Sequence, residues 1–261
     1  MSDPMIVAVA NQKGGVGKTT TAINLGAALA EQGHQVILID LDPQGNASTG
    51  LGIEQDRRER TIYDLLAGDA DLRDSLQDTE IPGLFVVPST PDLSSADVEL
   101  SQLTERTRLL RERLKQAPQN TIVLIDCPPA LGLLTVNAMV AAHSVLVPLQ
   151  AEFYALEGLS QLLGTVQQVR QAGNPNLRIN GILLTMADSR NRLSQQVEAD
   201  ARATLGDLVY PTVIPRNVRV SEAPSYAQPV LHYDPASKGS HAYRQFAAEF
   251  SERLKLTPEV A

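Results

Sequence analysis

The chain has a single cysteine, Cys127, among its 261 residues, which excludes an intramolecular disulfide. With so few thiols, and with four histidines (His34, His143, His232, His241) scattered without metal-ligand spacing, there is no zinc motif. No apolar run approaches the roughly 18 residues that a membrane span demands. Excess positive charge is also missing. At a formal net charge of −8 the surface is not uniformly coated for nucleic acid, so any DNA contact needs a local patch. Residues 1–4 (MSDP) are too short and too acidic for a secretory signal, and a cytoplasmic location is expected. Few residues precede the first apolar run, so no N-terminal helix-turn-helix and no operator-specific repression are expected either. There is no internal repeat, low-complexity segment or long linker. The length and the 43% hydrophobic content suit one α/β domain over 1–261, with short tails at 1–4 and 256–261.

What the chain does have is NQKGGVGKTT at 11–20, between the apolar run MIVAVA (5–10) and TTAINLGAALAEQG, which has near-helical apolar spacing. Strand, glycine-rich loop and helix in that order form the setting of a phosphate-binding loop. Gly14, Gly15 and Gly17, with Val16 among them, let backbone N–H groups converge on an anion, and the following helix N-terminus adds partial positive charge. Lys18 then reaches the β and γ phosphates of a nucleotide, the Thr19 hydroxyl holds Mg²⁺, and Thr20 continues the cradle. The usual pattern has a glycine where Gln12 stands, and here a second lysine, Lys13, follows it. A plain turn between strand and helix, with two solvated lysines, is the bland alternative.

The rest of the chain alternates strand-like and helix-like runs. Val36–Asp42 (VILIDLD) is apolar and ends in Asp40 and Asp42; 43–52 reads as a loop; 61–67 reads as a short helix and 84–89 as a strand. One helix is expected over 94–116, with Leu103, Leu109, Leu110 and Leu114 on it. TIVLIDCPP (121–129) repeats the pattern of four apolar residues then Asp, placing Asp126 at a strand end. A helix over 133–142, a strand over 144–150, a long helix from about Tyr154, and a strand over 179–186 follow. The last elements are a helix over 194–206, a strand over 210–217 and a closing helix over 240–255. This alternation implies a mostly parallel twisted sheet with helices on both faces, whose ligand site lies at the strand C-terminal ends. Asp126 is then the candidate Mg²⁺ acid, converging with Asp40 and Asp42 on the loop, although an Asp at a strand end also caps turns.

The K-G-G-x-G-K-T form resembles the deviant phosphate-loop ATPases. DLDPQGN (40–46), IDCPP (125–129), PLQAEFYALEGLSQL (148–162), LLTM (183–186) and VIPRNVRVSEAPS (213–225) together resemble the chromosomal ParA, or Soj, proteins. That resemblance implies a single-domain ATPase using ATP and Mg²⁺, with Asp42 on the attacking water and Asp40 in the magnesium shell. It implies that Lys13 reaches the nucleotide of a second copy, so that the ATP-bound homodimer is the hydrolysing form. It implies adenine contacts at Pro215 and Asn217, the latter also readable as a turn residue. It further implies nonspecific double-stranded DNA binding on the nucleoid, and stimulation by a ParB/Spo0J-type centromere-binding protein. Arg190 and Arg219 match family positions linked to DNA, and Arg192, Arg216, Lys238 and Arg244 lie in the same third of the chain. For any one of these six, an ordinary solvated charge is the alternative. Two rivals within the superfamily fit less well. A MinD-like membrane ATPase needs a basic amphipathic C-terminal helix, whereas Ala242, Phe246 and Phe250 read as core. An iron-protein-like redox carrier needs two cysteines, and Cys127 reads as an apolar filler.

Overall fold

Strands buried on both faces alternate their side chains between two cores, and three runs do so here in step. Ile6, Ala8, Ile37, Ile39, Val123 and Ile125 enter one core, and Val7, Val9, Val36, Leu38, Ile122 and Leu124 the other. The computed structural model describes residues 2–100, 105–152 and 155–257. Within them lie β1 (Met5–Val9), β2 (Gln35–Asp40), β3 (Gln77–Asp78), β4 (Leu84–Val87), β5 (Thr121–Asp126), β6 (Ser144–Gln150) and β7 (Arg178–Thr185). They form one sheet in the order β3-β4-β2-β5-β1-β6-β7, parallel except for the short edge strand β3.

The helices are α1 (Lys18–Glu31), α2 (Asn46–Gly50), α3 (Ile62–Ala67), α4 (Leu72–Ser75), α5 (Leu93–Glu99) and α6 (Leu109–Leu114), followed by α7 (Leu133–Ala141), α8 (Ala155–Ala172), α9 (Arg192–Leu205), α10 (Val218–Glu222), α11 (Val230–Tyr233) and α12 (Lys238–Leu254). One face of the sheet is covered by residues of α1, α2, α11 and α12, the other by residues of α3 to α9. The α/β architecture expected from the sequence is therefore the one observed. Phe246 and Phe250 of α12 are fully buried, and Phe246 packs edge-on against Tyr210 at 4.8 Å, so that apolar side is core as expected.

Three expectations need correction. The loop over 43–52 contains α2. The single helix over 94–116 is replaced by α5 and α6, with Glu105 between them in the left-handed region (φ 69°). The strand over 210–217 is not a strand: the chain here touches the sheet through isolated bridges, Ile182 with Val209 just before it and Ala187 with Pro215 within it. Pro211 and Pro215 have no N–H to give, so a continuous ladder cannot form there. Leu103, the expected helix start at Tyr154, Met1 and residues 258–261 of the tail lie outside the described residues.

Candidate active site

Parallel register brings three strand ends to one edge. Val9 of β1 pairs with Asp126 of β5, and Asp126 pairs with Asp40 of β2, so the loop leaving β1 emerges beside both carboxyls. That loop turns at Gly15 (φ 74°) and Gly17 (φ 86°), conformations in which a Cβ costs about 1–2 kcal/mol. Gly17 is the N-cap of α1 and supplies no side chain, which leaves the first-turn N–H groups open to an anion. The loop is pinned from two sides. Asn11 Nδ2 donates to Pro148 O at 2.7 Å, while its Oδ1 accepts from Lys13 N at 3.1 Å. On the other side Thr185 Oγ1, at the end of β7, donates to Val16 O at 2.8 Å.

Lys18 is buried and its Nζ donates to Lys13 O at 3.3 Å. Burial lowers its pKa from the ordinary value, and the nearby acids, Asp126 foremost, act in the opposite direction. Asp126 is wholly buried, and neither carboxyl oxygen has a hydrogen-bond partner among the described residues. The Thr19 hydroxyl is near enough to favour the charged form, without completing a hydrogen bond. Burial first, and then Asp40 beside it, push the Asp126 pKa well up. An orphaned carboxyl facing a buried ammonium and an open phosphate loop fits a nucleotide with a hydrated Mg²⁺ ion. Among the described residues no group of three or more His, Cys, Asp or Glu could hold a metal by itself. Any ion here would depend on Thr19, phosphate oxygens and water, with Asp126 behind the water.

Asp40 differs from its neighbour. Its Oδ2 accepts from Ser48 N at 2.8 Å and from Ser48 Oγ at 2.6 Å, and its Oδ1 accepts from Asp42 N at 3.3 Å. Burial nevertheless raises its pKa to about 6, more than these bonds lower it. Such a group binds more protons folded than unfolded between about pH 4 and 6, so its contribution to stability falls as pH rises through that window and is least favourable above it. The stability of Asp40→Asn relative to wild type should therefore improve between pH 5 and pH 8 by an amount on the order of 1 kcal/mol. Urea unfolding at the two pH values measures it, and a pH-independent difference would remove Asp40 as the cause.

Asp42, two residues beyond β2, is buried, and its Oδ1 accepts from Gln44 N at 3.0 Å. Lys13 points elsewhere: its Nζ pairs with Glu152 Oε2 at 2.8 Å, both side chains being about half exposed (40% and 47%). Gln150 Nε2 bonds the other Glu152 oxygen. Burial drives the Cys127 thiol pKa far up, as the filler reading requires. A cavity of 440 Å³ opens beside Gly17 and Thr20 and is lined by Pro215, Arg216, Asn217 and Tyr243, among others. Asn217 Oδ1 accepts from Arg219 N at 2.8 Å, capping α10 as the turn-residue reading has it, and its amide NH₂ makes no hydrogen bond among the described residues.

A family described as an AAA domain matches residues 4–179. The chain is 57% identical over 251 residues to the chromosome partitioning protein ParA of Caulobacter vibrioides, covering 95% of this chain and 94% of that one. It is 51% identical over 245 residues to the sporulation initiation inhibitor protein Soj of Bacillus subtilis, covering 94% and 97%. The chain belongs to the ParA/Soj family of partitioning ATPases. Among solved structures it is similar to a cobyrinic acid a,c-diamide synthase from Mycobacterium smegmatis with bound ADP and magnesium (TM-score 0.85, 39% identity, 97% and 96% covered). It is also similar to the septum site-determining protein MinD of Pyrococcus horikoshii complexed with Mg-ADP (TM-score 0.79, 26% identity, 98% and 100% covered).

For a ParA/Soj protein the arginines of the C-terminal third are unequal. The backbone of Arg216 donates to Ala187 O at 2.9 Å, which brings the 187–192 loop beside 215–219, and Lys238 lines the same cleft as Asp188 and Ser189. Arg190, Arg192, Arg216, Arg219 and Lys238 are exposed. Arg190 pairs with Asp188 at 3.1 Å, and Arg219 with Glu222 at 3.0 Å and Asp234 at 3.3 Å. Arg244 stands apart. It grips Glu31 of α1 at 2.7 Å and Pro235 O at 2.9 Å, and so ties α12 to the first helix. Sequence reasoning missed Ser48, Glu152 and Thr185, each of which fixes a site residue; none carries a local signal, since its role comes from a partner brought in by the fold.

Proposed function

We propose that this partitioning ATPase is an ATP-switched, DNA-binding dimer: two copies close over ATP, the closed form binds double-stranded DNA without sequence preference, and hydrolysis releases it. Lys18, Thr19 and the loop N–H groups bind and orient the triphosphate, with Pro215 and Asn217 beside the base. Magnesium would neutralise charge on the transferring phosphoryl group. Asp126 would hold that ion through water, Asp42 would orient the attacking water, and Asp40 is kept in place by Ser48. The observation that carries this reading is the buried pair of charge-bearing groups at the loop, Lys18 and the unpartnered Asp126, with a second lysine parked outside on Glu152. Lys13 is free to leave so exposed a partner for the nucleotide of a second copy. A ParB-type centromere-binding partner that accelerates hydrolysis, and a place on the nucleoid, follow from the relatives' partitioning role.

Four of the exposed cations, Arg190, Arg192, Arg216 and Lys238, form the proposed DNA face, with Arg219 at its border. A dimer doubles that face, and so makes DNA affinity depend on ATP despite the net charge of −8. A membrane role is less favoured, because the apolar side of α12 is core and no helix among the described residues is long and apolar enough to cross a bilayer. DNA binding measured with ATP, ADP and no nucleotide across a salt series tests the proposal. Binding should need ATP and weaken with salt, and Arg190→Ala should flatten the log–log salt slope by about two per dimer. Equal DNA affinity with ADP, or binding to anionic vesicles in place of DNA, would end it.

A further inference from the structure

We propose that Arg58 is a positioning residue for ATP hydrolysis, holding in place the segment that carries Asp42. Asp42 sits in a turn that runs directly into α2, a helix of five residues. So short a helix does not sustain itself, because nucleation costs more than one turn returns. It has to be held from outside. The inner anchor is the Asp40–Ser48 pair already described. The outer anchor is Arg58. Its Nη2 donates to Thr49 Oγ1 at 2.8 Å and to Ile53 O at 2.8 Å, its Nε to Ile53 O at 3.1 Å, and its Nη1 to Ser89 O at 2.8 Å. Thr49 Oγ1 in turn donates to Gly45 O at 3.0 Å, and Gly45 N donates to Asp42 O at 2.9 Å. A chain of three hydrogen bonds thus links the guanidinium to Asp42.

Two further observations point the same way. Ser89, just past β4, is bound from both sides: its N donates to Ser48 Oγ at 3.1 Å while its O accepts from Arg58. The inner and outer anchors therefore close on one residue. Gly45 lies so close beneath the guanidinium that a Cβ there would stand 2.3 Å from Nη1 and 3.0 Å from Ser89 O. Among the described residues Arg58 has no ion pair; its charge goes to neutral acceptors, and the acid that acts on it is the buried Asp40. A planar fork spanning three acceptors of fixed direction is a task for arginine, and lysine does not replace it.

The inference rests on the reading that Asp42 orients the attacking water, so the test includes both residues. ATP turnover by the full chain is compared for wild type, Arg58→Ala, Arg58→Lys, Thr49→Val and Asp42→Ala, with thermal melting in ATP as the check on folding. Misplacement of a reacting group by an ångström costs about 10²-fold. Both Arg58 variants should lose about 10- to 100-fold in kcat while KM for ATP stays within about twofold, and Thr49→Val should lose less in the same direction. The failure of Arg58→Lys separates a geometric role from a merely electrostatic one. If Asp42→Ala turned over normally, the reading of Asp42 would fail. If Asp42→Ala were inactive while Arg58→Lys and Thr49→Val hydrolysed ATP at the wild-type rate, the positioning role alone would be overturned.

Discussion

Lys13→Ala is expected to bind ATP as the wild type does and to lose hydrolysis by about 10³- to 10⁵-fold, the effect of removing a cation that reaches a transferring phosphoryl group from a second molecule. Within one chain the Lys13 side chain is turned away from Lys18, to Glu152. Its backbone N–H is tied to Asn11 and its carbonyl accepts from Lys18, so the side chain leaves the loop on the far side and ends on Glu152. An ion pair this exposed is worth about 0–1 kcal/mol, little enough for a triphosphate to outbid. Asn11, bonded to Pro148 O, keeps the loop's shape without the lysine. Calorimetry should show unchanged ATP affinity for the monomer, single-turnover phosphate release should collapse, and sedimentation should show no ATP-dependent dimer. Turnover at the wild-type rate would mean that the lysine plays no part across an interface.

Much of this arrangement is legible in the residues. VILID and IVLID, each four apolar residues and an acid, announce two buried strands delivering carboxyls to one edge, and the register that sets Asp40 beside Asp126 follows once both strands are parallel neighbours. What decides between those acids is not legible. Asp40 takes Ser48 as partner eight residues on, inside a stretch whose Gly, Asn and Ser read as loop, whereas Asp126 is left bare by the packing around it. Arg58 was invisible for a similar reason. In DRRER it stands among Arg57 and Arg60, and only the approach of Ser89, 31 residues away, distinguishes it. The 210–217 run misled in the opposite direction: its apolar content suits a strand, but two prolines prevent the ladder, and the segment instead lines the cavity beside the phosphate loop. Charge, too, is readable only as position. Arg190 and Arg244 look alike in the sequence, but one is exposed beside its own loop's acid and the other locks two helices together.

Asp42→Ala should give the opposite phenotype to loss of the phosphate lysine. Asp42 is nearly buried, 8% exposed, and commits only Oδ1, to the Gln44 N–H; Oδ2 has no hydrogen-bond partner among the described residues. Removing it breaks no hydrogen bond of the loop, of Thr19 or of Asp126, so ATP should bind and the closed dimer should form. Hydrolysis, which needs a water held in line, should fall by about 10²- to 10⁴-fold. With ATP bound and not consumed, DNA binding should persist long after the wild type has released. Lys18→Ala removes the buried ammonium beside Asp126 on which the proposed triphosphate binding depends; that variant should neither bind ATP nor hold DNA. Filter binding over time after a single addition of ATP separates the two variants from each other and from the wild type. Release of DNA by Asp42→Ala on the wild-type schedule would show that hydrolysis does not depend on this carboxylate and that the water is oriented by another group.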